Sequence, residues 1–143
     1  MKTVRQVLDV KGKDVWHLHP ENTVYEALQL LAEKDVGALM VLENNYPVGI
    51  VSERDYARKV ALEGRIARDT PIHEIMTACL HTIKPTSQIV ECMTMMTEKK
   101  IRHLPVLEDD EIVGIISIGD VVKEVISSQE FTIEQLENYI RGS

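Results

Sequence analysis

The sequence predicts an α/β (α+β) protein made of two copies of one small unit, each reading β-α-β-β-α, and three observations carry that prediction. Residues 15–56 recur 65 positions later without a slip in register, and 13 of the 42 aligned pairs are identical. In each copy an apolar stripe at helical spacing precedes two short runs rich in β-branched residues. Each copy then closes on a glycine, two aliphatic residues and a serine, with an aspartate three positions further on, at Gly49 to Asp55 and Gly114 to Asp120.

Taken in order, a short preamble comes first. Val4, Val7 and Leu8 match Ile72, Ile75 and Met76 in pattern, with Pro71 placed for a first helical turn. Val15 to Leu18 has strand character and stops at Pro20, whose missing N–H suits a strand end. Asn22 or Thr23 then caps a helix that gathers Val24, Ala27, Leu28 and Leu31 on one face. Ser87 caps the counterpart, which carries Ile89, Cys92, Met93 and Met96; the methionines read as gap-filling core. Ala38 to Leu42 and Val48 to Val51 are strands around Glu43-Asn44-Asn45, copied as Leu104 to Leu107 and Ile112 to Ile116 around Glu108-Asp109-Asp110. A second helix starts after Ser52 and after Ser117.

These boundaries give a first repeat over 1–63, a basic and polar linker over 64–70, and a second repeat over 71–128, joined closely enough to pack as a pseudo-two-fold pair. Residues 129–143 form a separate amphipathic helix. Its capping box is Thr132 with Gln135, and its stripe of Ile133, Leu136 and Ile140 needs cover from the chain's own body or from a homodimer mate.

Composition narrows the function. With 44% apolar and 27% charged residues in 143, the chain can bury one good core or two small ones. The formal net charge of −7 argues against a broad nucleic-acid footprint, which needs a basic face. No apolar run approaches the ~20 residues of a membrane span. Cys79 and Cys92 lack metal-ligand spacing and follow no secretory signal, so they read as buried thiols in a reducing, cytoplasmic setting.

Enzyme chemistry finds little support. His17 and His19 alternate on a strand without a third metal ligand at useful spacing. No glycine-rich phosphate loop is present. Ser52 has no evident base, and the five histidines form no nucleophilic constellation. The Ser/Asp pairs are the strongest local signal. Ser52 with Asp55, and Ser117 with Asp120, stand where a strand feeds a helix, a place whose exposed N–H groups attract an anion. The same spacing is that of a plain helix cap, and spacing alone leaves both readings open. Cations gather at Arg54, Arg58 and Lys59 in the first copy and at Arg102-His103 in the second, the latter replacing the uncharged Gly37-Ala38.

With its duplicated Gly-h-h-Ser-x-x-Asp, its repeat length and its order of elements, the chain resembles a tandem pair of cystathionine β-synthase (CBS) domains over about residues 1 to 128. Ser-Glu-Arg-Asp-Tyr-Ala-Arg-Lys at 52–59, Ile-Arg-His-Leu-Pro-Val at 101–106 and the ending Phe131 to Gly142 resemble small bacterial stand-alone CBS pairs. The resemblance implies a non-catalytic regulatory module that senses an adenosine ligand, AMP, ADP, ATP, NAD(H) or, less expected, S-adenosylmethionine, in clefts between the copies. It also implies a homodimer and an effector protein that reads the ligand.

Carried onto this sequence, the resemblance gives Asp120 the ribose hydroxyls and Ser117 the phosphate. Arg102 and His103 neutralise that phosphate, and Thr82, Ile83 and Ile101 surround the base. Asp55 and Ser52, near Val15, Trp16 and Val36, hold the equivalent places in the first copy. There Arg54, Arg58 and Lys59 stand in for the missing charged pair. The alternative is an interaction or dimerisation module whose nucleotide sites are vestigial.

Overall fold

The computed structural model describes residues 2–78 and 80–142; the expectation for Cys79 lies outside them. In chain order the regular elements are α1 (Val4–Lys11), β1 (His17–Leu18), α2 (Val24–Lys34), β2 (Ala38–Glu43), β3 (Tyr46–Ser52), α3 (Glu53–Tyr56), α4 (Ile89–Lys99), β4 (His103–Glu108), β5 (Glu111–Ser117) and α5 (Ile118–Gly142). They form a mixed α/β structure with two compact units. A central unit holds Asp14–His81 with Asp109–Ile112, and a split unit holds the chain through Lys13, Thr82–Glu108 and everything from Val113 on.

In the central unit Thr23 caps α2 in a capping box with Glu26, whose carboxyl is held below its usual range chiefly by the Thr23 backbone N–H. The helix ends at Asp35, in the left-handed region at φ 52°. β1 pairs parallel to β2, with His17 opposite Met40, and β2 pairs antiparallel to β3. The turn between them places Asn44 and Asn45 at φ 53° and 65°, the left-handed pair that matches hairpin twist. A register shift between Val41 and Leu42 accommodates Pro47, which cannot donate to a regular ladder. α2 closes the sheet with Val24, Ala27 and Leu31 against Leu39, Val41 and Val51. After Tyr56 the helix continues as a π-helical turn over Ala57–Ala61.

The split unit repeats this plan. Ile83 bridges Val106 in parallel and β4 pairs with β5; in the turn between those strands Asp109 and Asp110, which group with the central unit, take the same φ values, 53° and 65°. Ile89, Cys92 and Met96 of α4 meet Leu104, Val106 and Ile116. Val4 and Leu8 of α1 complete this core.

The preambles are exchanged relative to the repeats. α1 belongs with residues 82–125, its entry held by Val4 N–H to Ser87 O at 2.8 Å and Arg5 N–H to Pro85 O at 2.9 Å. Ile72 and Ile75, which precede the second repeat, pack into the first: Ile72 N–H donates to Asn22 O at 2.8 Å and His73 N–H to Pro20 O at 3.1 Å. The boundaries 1–63 and 71–128 therefore describe sequence repeats and not packed bodies.

Three local expectations are corrected, and one segment is packed more closely than its composition suggests. Ser87 does not cap α4; the cap position is Gln88, without a side-chain bond, and the Ile89 N–H is met by Lys2 O at 3.0 Å. Residues 64–70, between the two repeats, are packed against the central unit. Thr70 is buried, its hydroxyl donates to Ile66 O at 2.8 Å, its carbonyl receives the Val24 N–H, and Arg68 lies over the Tyr25 ring. Pro71 precedes a short 3-10 turn, Ile72–Glu74, instead of standing in its first turn. Finally, residues 129–143 start no separate helix. α5 runs unbroken for 25 residues, and the Thr132 hydroxyl donates back to Ser128 O at 3.0 Å, a mid-helix bond in place of a cap.

Candidate functional site

Both Ser/Asp helix starts are built alike. In the central unit the Ser52 N–H and hydroxyl donate to Asp55 Oδ2 at 2.9 and 3.0 Å, and the Asp55 N–H returns to Ser52 Oγ at 3.2 Å. In the split unit Ser117 N–H and hydroxyl reach Asp120 Oδ2 at 2.7 and 3.0 Å, and the Asp120 N–H returns to Ser117 Oγ at 3.2 Å. Capping therefore occurs at both, and each serine already uses its proton.

The cations that meet these carboxylates differ. Lys59, one turn along the same helical run, places Nζ 3.2 Å from Asp55 Oδ1 and donates to Ile75 O at 2.9 Å. Both Asp55 oxygens are thus engaged. Asp120 meets Lys11, whose Nζ lies 2.5 Å from Oδ2 and donates to Ile115 O at 2.6 Å. Its Oδ1 bonds no described residue. The counterpart of Lys59 in the repeat is Glu124, a buried acid that accepts the Lys2 N–H at 3.3 Å. Lys11 escaped the sequence reading because the preamble was aligned by its apolar residues. The available signal was a lysine in the last turn of a predicted helix, just before Gly12.

The backbone brings Arg102-His103 to the second helix start. Ile118 N–H donates to Arg102 O at 2.8 Å, as Glu53 N–H donates to Gly37 O at 3.1 Å in the central unit. The Arg102 side chain is exposed and bonds no other described residue, and His103 opens β4 half-buried. The Arg54 and Arg58 side chains are exposed and bond no described residue either, while Lys59 is committed as described.

The apolar residues divide. Thr82 is half-buried beside the Ile83–Val106 bridge, and Ile101 packs partly against the split core. Ile83 is only 6% exposed: its side chain serves that core, its N–H donates to Pro105 O at 3.0 Å and its carbonyl accepts the Leu107 N–H at 3.0 Å, so it is already committed to the fold. Val15 is half-buried, and Trp16, also half-buried, packs on the central core with Lys34 Nζ 4.3 Å above its ring. Val36 lines a shallow depression of ≈ 340 Å³ with Asp35, Gly37 and Glu53. Two acids and no cation make that depression a poor phosphate seat.

Cys92 is buried in the split core, and desolvation, with Glu91 beside it, pushes its thiol up to about 11, far from nucleophilic duty. Among the described residues no group of three His, Cys, Asp or Glu is placed to hold a metal, and no helix is long and apolar enough to cross a membrane.

Comparison with known proteins finds one family model, the CBS domain, matching residues 7–62 and again 72–127. A signal-transduction protein with CBS domains from Burkholderia ambifaria is 45% identical, with a TM-score of 0.85 over 90% of this chain and 96% of that one. The mitochondrial CBS domain-containing protein CBSX3 of Arabidopsis thaliana is 36% identical, covering 98% of this chain and 72% of its own. YhcV of Bacillus subtilis is 29% identical over 86% of this chain and 87% of its own. A CBS domain pair solved in complex with 5′-methylthioadenosine and S-adenosyl-L-methionine shares the fold at 22% identity and a TM-score of 0.79.

Proposed function

This chain belongs to the CBS domain family, and from that premise we propose that it is a non-catalytic, cytoplasmic regulatory module that binds AMP, ADP, ATP or NAD(H) at the start of α5 and relays occupancy to a partner protein. One observation carries the reading: Asp120 Oδ1 bonds no described residue, at a helix start whose first N–H is tied to the Arg102 carbonyl. A carboxylate oxygen accepts ribose hydroxyls, while Arg102, His103 and the helix terminus favour a phosphate nearby. Both Asp55 oxygens are bonded, which makes the first copy the weaker site. The adenosine compounds in a protein of the same fold agree with the ligand class.

Calorimetric titration of the purified protein with AMP, ATP, NAD, NADH and S-adenosylmethionine tests the reading. At least one phosphorylated ligand is expected to bind, and Asp120→Ala is expected to abolish it while leaving the fold intact. No heat from any of them at millimolar concentration would overturn it.

A second reading, self-association, is favoured by α5. Val122, Ile126, Ile133 and Leu136 are each about half exposed, and every described residue from Gln129 to Arg141 is exposed. The proposed occupant of that face is α5 of a second copy, because the stripe has the spacing with which helices pair with their own kind.

A further inference from the structure

Lys11 reaches Asp120 from a different element. α1 ends at Lys11, the chain turns away at Gly12, with φ 106°, and the ammonium is left on Asp120 Oδ2 and the Ile115 carbonyl. The pair is partly shielded, with side-chain exposures of 36% and 16%. At the other Ser/Asp pair the cation is Lys59, part of the same helical run as its carboxylate.

We propose that Lys11 is the specificity residue of the Ser117–Asp120 site, selecting adenine nucleotides that carry phosphate over neutral or sulfonium-bearing adenosine compounds. The inference rests on the proposed function and adds a criterion for its ligand. A ribose diol that engages both oxygens of Asp120 displaces the ammonium from Oδ2. The released group then stands beside the positive N-terminus of α5, so a ligand without an anion leaves it partly desolvated and uncompensated. A 5′-phosphate gives the ammonium, on its flexible four-carbon stem, a new charge-assisted partner. A sulfonium adds another cation to the same place. Exchange of one carboxylate for one phosphate is thus nearly balanced for a nucleotide and unfavourable for a nucleoside.

The test compares AMP, adenosine and 5′-methylthioadenosine by calorimetry in the full chain and in Lys11→Met, which keeps stem length and helix propensity, with melting temperature as the check on folding. The unaltered protein is expected to prefer AMP. In Lys11→Met that preference over adenosine is expected to fall by about tenfold or more, the scale of one charge-assisted bond. Lys11→Arg, which retains a cation, is expected to keep it. An AMP-to-adenosine ratio unchanged in Lys11→Met overturns the role of Lys11 while leaving nucleotide binding in place. Absence of any binding in the unaltered protein overturns both.

Discussion

Gly49 and Gly114 stand at equivalent places in the repeat, and the exchanged preambles explain why both are glycine. A Cβ on Gly114 would lie 2.7 and 2.8 Å from the two Leu8 methyls, and one on Gly49 would lie 2.5 Å from the Met76 sulfur and 3.1 Å from the Thr77 carbonyl oxygen, the milder of its contacts. Leu8 is 1% exposed and branched, with nowhere to move, whereas the Met76 thioether is flexible and half-buried. Gly114→Ala is therefore expected to destabilise by about 1–3 kcal/mol, the range for overpacking, and Gly49→Ala by less. Urea denaturation of both variants checks the order; equal losses would remove the distinction. The repeated glycines were legible in the sequence, but their reason was not, since Leu8 and Met76 lie in preambles that a local reading assigns to the wrong copies. The Ser/Asp caps were legible because three-residue spacing fixes them locally. Lys11 on Asp120, 109 positions apart, follows only from the tertiary fold.

At the scale of elements, the strands and helices of the repeat were readable from periodicity because α2 and α4 each turn one stripe to a core. α5 was readable only in part. Ser127 and Ser128 resemble a boundary, yet no proline or glycine interrupts residues 120–141, and helix continues by default. Continuity changes the meaning of the stripe. Val122, Ile126, Gln129, Ile133, Leu136 and Ile140 follow alternating steps of four and three, with isoleucine at one core position, leucine or valine at the other, and one polar glutamine. That spacing is the a/d repeat of paired helices, and it fits the self-association proposed for α5. Ile133→Lys combined with Leu136→Glu is expected to convert a dimer to monomers in sedimentation velocity while secondary structure persists. A dimer unaffected by the double substitution would assign the contact to another face.

For the whole molecule, the packed units and the sequence repeats require different cuts. A fragment of residues 14–81 contains α1's counterpart Ile72, Ile75 and the helix they cover, so it is expected to unfold cooperatively by circular dichroism. A fragment of residues 64–143 lacks α1 and leaves Leu104 and Ile116 without Val4 and Leu8. It is expected to show no cooperative transition until a peptide of residues 1–13 is added. Cooperative melting of 64–143 alone would mean that α1 contributes little to the split core.

The exchange of preambles also fixes an order of events at the ribosome. α1 is synthesised before the rest of its core, and Val121, among its last core partners, follows Lys11 by roughly 110 residues, or roughly 5–20 s of elongation. The central segment has its core partners close in sequence and can fold meanwhile. Throughout that interval Val4, Val7 and Leu8 wait without their native cover, and the speed of translation sets how long they do so.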